Sequence, residues 1–158
     1  MRSYQVFAAM TPERSIDVMR ELSEKAPQFY KQALVAASAS LKARPVYLQR
    51  QPFDKQAQAV RRALSRVAAN AFAEEALAVY FLECRKDLLV EWLDALGIEH
   101  EDGILKQDAP AAPSAAQLER AHHAFRAADD DPDRLLLLEA FAAQSAIDWP
   151  ALETLISA

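Results

Sequence analysis

The sequence predicts an all-α protein, an irregular bundle of six or seven helices built round one long central helix, with a C-terminal helical section. Three observations carry that prediction. The chain holds 33 alanines and 19 leucines against 15 valines, isoleucines and threonines together, a strong bias toward helix formers. All 8 prolines stand where a helix can begin or must end. Between them, apolar residues recur at steps of three and four. A chain of 158 residues has the size of one domain and buries a core without cross-links, so residues 1–158 read as a single helical domain. Within it, a helical core over 1–103 and C-terminal helices over 114–158, joined by a linker over 104–113, form a natural subdivision.

The elements follow from their punctuation. Thr11 is placed as an N-cap with Pro12 behind it, opening a helix to about Lys25 that turns Ile16, Met19 and Leu22 inward. Pro27 opens a second, alanine-rich helix through Phe29, Ala33, Ala37 and Leu41, which Pro45 stops. The stretch "PVYLQRQP" from Pro45 to Pro52 reads as an extended connector with Val46, Tyr47 and Leu48 as anchors. Asp54 is placed to cap a third helix carrying Ala57, Val60, Leu64 and Val67 inward, interrupted near Asn70. Residues 71–96 then read as one helix of about seven turns, with Leu77, Phe81, Cys84, Leu88, Trp92 and Ala95 on one face.

Arg85 disturbs that helix, because at 100° per residue it falls among Phe81, Leu82, Leu89 and Trp92. Three outcomes are open: the helix breaks near Cys84 to Lys86, the side chain reaches water by its aliphatic stem, or the charge is buried against a carboxylate. Gly97 suits the left-handed position after a helix ending at Leu96, and Glu99 to Asp102 follow as an acidic turn. Ser114 and Gln117 form a capping box ahead of Leu118, Ala121 and Phe125. Asp131 caps a helix whose Leu135 to Leu138 surround it and so bury it, and Asp148 caps a short last helix. A self-similarity at an offset of 49 residues, aligning Arg85 with Arg134 and Trp92 with Phe141, is too sparse to define a repeat.

Charge is unevenly spread. Lys42, Arg44, Arg50, Lys55, Arg61, Arg62 and Arg66 face one acid, Asp54, for a local net of +6, while the rest of the chain carries −11. Such a split fits an anionic partner or two mutually attracting parts of one fold. A sequence pI near 5.2 argues against general nucleic-acid affinity.

Complete catalytic constellations are missing. Two glycines cannot build a phosphate-binding loop, and the single cysteine, Cys84, excludes a thiolate zinc cluster and lies in line with Leu77, Phe81 and Leu88 as a core residue. Asp129, Asp131 and Asp133 mimic a calcium loop but lack its glycine and its closing glutamate. The strongest metal pattern is Glu119 with His122, a Glu-x-x-His pair on one helix face, for which His100 or a second subunit would have to complete the donor set.

The leading expectation is a non-catalytic adaptor or regulatory module that presents its basic surface to an acidic protein partner, with no cofactor. A metal- or cofactor-binding helical-bundle enzyme is the alternative, and nucleic-acid binding ranks third. No window has the eighteen or so apolar residues of a membrane span, and the N-terminus does not read as a signal peptide. A soluble, cytoplasmic protein with no membrane contact is expected, with a homo-oligomer left open.

Overall fold

In a computed structural model that describes all 158 residues, the chain is an all-α assembly of ten helices with one two-stranded hairpin. In chain order the helices are α1 (Ser3–Ala9), α2 (Pro12–Lys25), α3 (Pro27–Ser40), α4 (Pro45–Gln49), α5 (Phe53–Leu64), α6 (Asn70–Val79), α7 (Lys86–Leu96), α8 (Ala115–Ala127), α9 (Pro132–Ala143) and α10 (Pro150–Ser157). The hairpin pairs β1 (His100–Glu101) with β2 (Ile104–Leu105). No helix is long and apolar enough to cross a membrane. The chain gathers into two compact units, Ser3–Cys84 and Arg85–Ala158 with Met1–Arg2. The division thus falls at Cys84–Arg85, and residues 104–113, expected to link two sections, lie inside the second unit.

In the Ser3–Cys84 unit, prolines and caps act as the sequence implies. The Thr11 Oγ accepts from the Arg14 N–H at 3.2 Å, satisfying an amide that the start of α2 leaves without an intrahelical acceptor. At one end of α3, Tyr30 donates to Gln56 of α5; at the other, Arg66 just past α5 donates to Ser40, so α3 and α5 run parallel. Gln58 reaches the Pro12 carbonyl and Ser15 while Arg20 covers the Phe53 ring, which sets α2 antiparallel to α5. Phe7, Met19, Leu22, Val60, Leu64, Leu77 and Phe81 fill the core. Asn70 begins α6, and its side chain accepts from the Tyr4 N–H at 3.1 Å, fixing α1.

Four expectations for this unit are corrected. Residues 3–9 form a helix that the sequence pattern did not announce. The connector after Pro45 is not extended but closes one helical turn, burying Leu48 while Val46 and Tyr47 stay exposed. Asp54 lies inside the first turn of α5, whose preceding residue is Pro52, and makes no side-chain cap. Val67, expected inward, is 63% exposed in a 3-10 turn over Val67–Ala69.

The long central helix is not continuous. After α6 the backbone widens into a π turn over Tyr80–Cys84, and Arg85 leaves helical geometry at φ −136° and ψ 46° before α7 begins. A continued α-helix would place a guanidinium on its apolar face; at the break that side chain pairs with Asp87, Asp131 and Asp133 instead.

In the Arg85–Ala158 unit, Trp92 is the hub. It is fully buried, with Phe125 of α8 at 5.3 Å and Phe141 of α9 at 6.0 Å, and Trp149 extends the group from Phe141. Leu136, Leu137 and Leu138 of α9 are buried as expected, but Leu135 reaches the surface. Asp131 caps α9 by accepting from the Asp133 N–H, whereas Asp148 makes no side-chain cap for α10. Ser114 caps α8 through the Gln117 N–H, but the Gln117 side chain donates to the Leu96 carbonyl and so ties α8 to α7 rather than closing the capping box.

Candidate functional site

Gly97 ends α7 as its position suggests. At φ 69° its N–H bonds the Asp94 carbonyl and the Ile98 N–H bonds the Leu93 carbonyl, a Schellman closure. The acidic turn beyond it is a hairpin loop. Asp102 and Gly103 both adopt positive φ, 55° and 90°, between the paired residues Glu101 and Ile104. That is what a two-residue hairpin turn demands, and the Asp-Gly dipeptide was its signal in the sequence. His100 is consumed by this turn: Gly103 N–H donates to Nδ1 at 3.0 Å, and Nε2 lies 2.7 Å from Asp94 Oδ1. A ring that accepts at Nδ1 carries its proton at Nε2 and donates it to Asp94, leaving no lone pair for a metal.

Glu119 is exposed on α8 and His122 is half-buried one turn on. Burial first, then the neighbouring Arg126 and His123, holds the His122 imidazole below its ordinary range. No third donor joins them, and no three His, Cys, Asp or Glu side chains converge anywhere in the chain to hold an ion. The Glu-x-x-His pair is therefore a helix-surface pair without the rest of a di-iron site. Cys84 is buried, and burial followed by the Glu21 charge pushes its thiol up to about 11, the opposite of an activated nucleophile.

The chain uses its carboxylates to neutralise two arginines. Arg85 reaches Asp133 and Asp131 at 2.8 Å each and grips Asp87 through two bonds of 3.2 Å. Burial opposes its charge, but the bonds to Asp87 and Asp131 outweigh it and raise its pKa. Arg134, buried on α9, grips Asp129 at 2.7 and 3.1 Å, Glu91 at 2.7 Å and the Phe125 carbonyl at 3.2 Å, with its guanidinium 4.7 Å from the Phe125 ring centre. The Arg85 break and its ion pairs thus occur together. The two arginines matched by the 49-residue offset occupy different settings, one between helices and one inside α9.

The basic block is treated differently. Lys42, Arg44, Arg50, Lys55, Arg62 and Arg66 are exposed, and none of the seven block residues forms an ion pair, although Asp54 lies among them. Arg61 stands apart: half-buried, it donates to Gln58 and to the Phe7 carbonyl, so it is an internal brace between α5 and α1 rather than a surface contact. Arg66 is oriented by donation to Ser40 Oγ at 2.6 Å, leaving its other N–H groups without protein acceptors. Arg61 and Arg62 sit in the last turn of α5, where the helix dipole favours cations. The Ser3–Cys84 unit carries 11 basic and 8 acidic residues, the other unit 7 and 15.

Exposed apolar side chains gather in the same region. Of eight large ones in the chain, Val35, Leu41, Val46, Tyr47 and Val67 lie between residues 35 and 67. Sequence reasoning took Val46, Tyr47 and Val67 as buried and so missed this coincidence of apolar and cationic surface. Compared with known proteins, the chain matches no family model, no curated protein and no solved structure.

Proposed function

We propose that the chain is a non-catalytic interaction module, an adaptor or regulatory protein whose cationic face on the Ser3–Cys84 unit engages an acidic protein surface. One observation carries the reading: six exposed cations between Lys42 and Arg66 have no carboxylate partner, while Arg85 and Arg134 are each saturated with them. A one-sign patch repels itself in the free protein, steers an oppositely charged partner toward it and suppresses wrong ones. The exposed Leu41, Val46 and Tyr47 beside it supply the apolar and aromatic contact that turns electrostatic encounter into a stable interface. The cytoplasm is the compartment proposed with it.

The test is quantitative cross-linking in an extract of the host cell with the wild-type chain and with Lys42→Glu/Arg62→Glu/Arg66→Glu. Arg61 is left untouched because it braces the fold. Acidic proteins should be enriched by the wild type, released as salt rises and lost with the triple variant, whose melting temperature is unchanged. Equal enrichment by both chains removes this surface from consideration. Enrichment of nucleic acid that nuclease treatment abolishes replaces the protein partner with the third-ranked reading.

A further inference from the structure

The Ser3–Cys84 unit also carries a groove, which Arg66 of the basic block helps to line. It opens to solvent between α3 and the segment from Ala63 to Phe72, encloses about 410 Å³, and is walled by Ala36, Val67, Ala69 and Phe72, with Ser40 and Arg66 at one end. On α3 the residues facing it, Ala33, Ala36 and Ser40, are small and share one helical face, so a partner backbone comes close. Its floor is firm, since the Phe72 ring stacks on Phe29 at 5.3 Å. Val67 in its wall is 63% exposed, and Leu41, next in the chain to Ser40, is 50% exposed. Lys42, two residues past Ser40, and Arg62, four residues before Arg66, are both exposed and unpaired.

We propose that this groove seats an acidic amphipathic helix of a partner protein, its apolar ridge lying between Ala36 and Val67 and its carboxylates closing on Arg66, Arg62 and Lys42. The inference rests on the interaction-module reading and adds the shape of the partner to its charge. Charge complementarity selects this occupant. The groove's only charged wall is Arg66, already turned by Ser40 and still holding free N–H groups that match a carboxylate in geometry. An apolar channel with a cationic end reads anchors at helical spacing, as helix-in-groove recognition does. Nucleic acid would need a row of phosphate contacts where the groove is alanine and phenylalanine. A second copy of this chain would bring its largest acidic cluster already neutralised by Arg85 and Arg134.

Three synthetic peptides test the proposal by fluorescence anisotropy on the full chain. The first is a capped helix with leucines along one face and glutamates flanking them. In the second the same residues are scrambled so that no apolar face remains, and in the third lysine replaces glutamate. The first should bind, with amide shifts concentrated at Ala36, Ser40, Val67 to Ala69 and Phe72. Arg66→Glu and the groove-filling Ala36→Trp should each weaken it about tenfold or more. Both positions are solvent-exposed, so both variants fold, which a thermal melt verifies. Equal binding of the scrambled peptide, or binding indifferent to Ala36→Trp, overturns the groove while leaving the cationic surface standing. Equal binding of the lysine peptide overturns the charge argument, and no binding by any peptide overturns the inference. A dimer by light scattering that Ala36→Trp dissolves, or binding to phosphatidylserine vesicles that it abolishes, replaces the helix with a second copy or a lipid surface.

Discussion

Arginines that are used internally and arginines that are not should answer mutation in opposite ways, and Arg134 gives the difference a size. Replacing it with methionine keeps most of the buried stem and removes the guanidinium. Asp129 and Glu91 are 53% and 46% exposed and return to water when the guanidinium is removed, so the loss of these ion pairs adds little. The Phe125 carbonyl belongs to the last turn of α8, where no intrahelical donor exists, and Arg134 reaches it at 3.2 Å; leaving it buried without a donor costs about 1–3 kcal/mol. Loss of the cation over the Phe125 ring adds about 0.5–1 kcal/mol. Arg134→Met should therefore destabilise by about 1.5–4 kcal/mol, and a chain of this length then melts about 3–16 °C lower. The chain's two tryptophans, Trp92 and Trp149, are both buried in the unit that contains Arg134, so their fluorescence follows that unit during heating or urea unfolding. Arg62→Glu/Arg66→Glu should change stability by no more than about 0.5–1 kcal/mol in the same measurement. If Arg134→Met shifts the transition by less than about 1 kcal/mol, or the surface pair costs as much as Arg134, the distinction between consumed and available cations fails.

Four other outcomes follow from local geometry. The Arg85 and Arg134 hydrogen bonds hold the Asp87 and Asp129 carboxyls below their ordinary pKa of 3.8, so the stability they add is present above that pH and disappears as pH falls through their lower folded values. An acid titration followed by tryptophan fluorescence should show that loss, and Asp129→Asn should flatten it. Burial raises the Glu139 carboxyl above its ordinary 4.5, which removes stability as pH rises; Glu139→Gln should melt higher at pH 7 and equal the wild type at pH 3. Cys84 should react with a thiol reagent at neutral pH only as fast as the chain opens, and fast reaction of the native protein would contradict its burial. Gly97→Ala meets nothing closer than Gln117 Nε2 at 3.9 Å, but the positive φ should cost it about 1 kcal/mol in urea unfolding, with Gly97→Asn costing less.

What the sequence disclosed of the fold is what local chemistry controls. Thr11, Ser114 and Asp131 cap the helices they precede because a side-chain oxygen three or fewer residues from an orphan amide needs no tertiary help. Gly97 terminates α7 for the same kind of reason. Local chemistry does not decide where a distant group does. The apolar run from 71 to 96 keeps its helical period through Arg85, yet the helix breaks there because Asp131 and Asp133, more than forty residues on, offer the guanidinium a better place than an apolar face. Helix α1 is seven residues long and holds because Asn70 and Arg61 bind its backbone, neither of which a local window contains.

The same distinction governs the candidate surface. Counting charges located the cationic block, but whether a cation is spent or available is a tertiary property that composition does not contain. Arg61 and Arg62 are adjacent and chemically identical, and a helix sets them 100° apart. One turns to the Phe7 carbonyl and becomes part of the scaffold; the other turns to solvent. Lys42 is available because Asp54, the only nearby acid in sequence, pairs with none of the seven. The groove was hidden for a related reason. Ala36, Ala68 and Ala69 look like ordinary helix-forming alanines, and only the parallel approach of α3 and α5 turns their small size into an open channel. Charge alone would admit any acidic protein; under the proposed function, a channel of that shape beside it would require the partner to present an apolar ridge as well, and that second requirement would give the surface its selectivity.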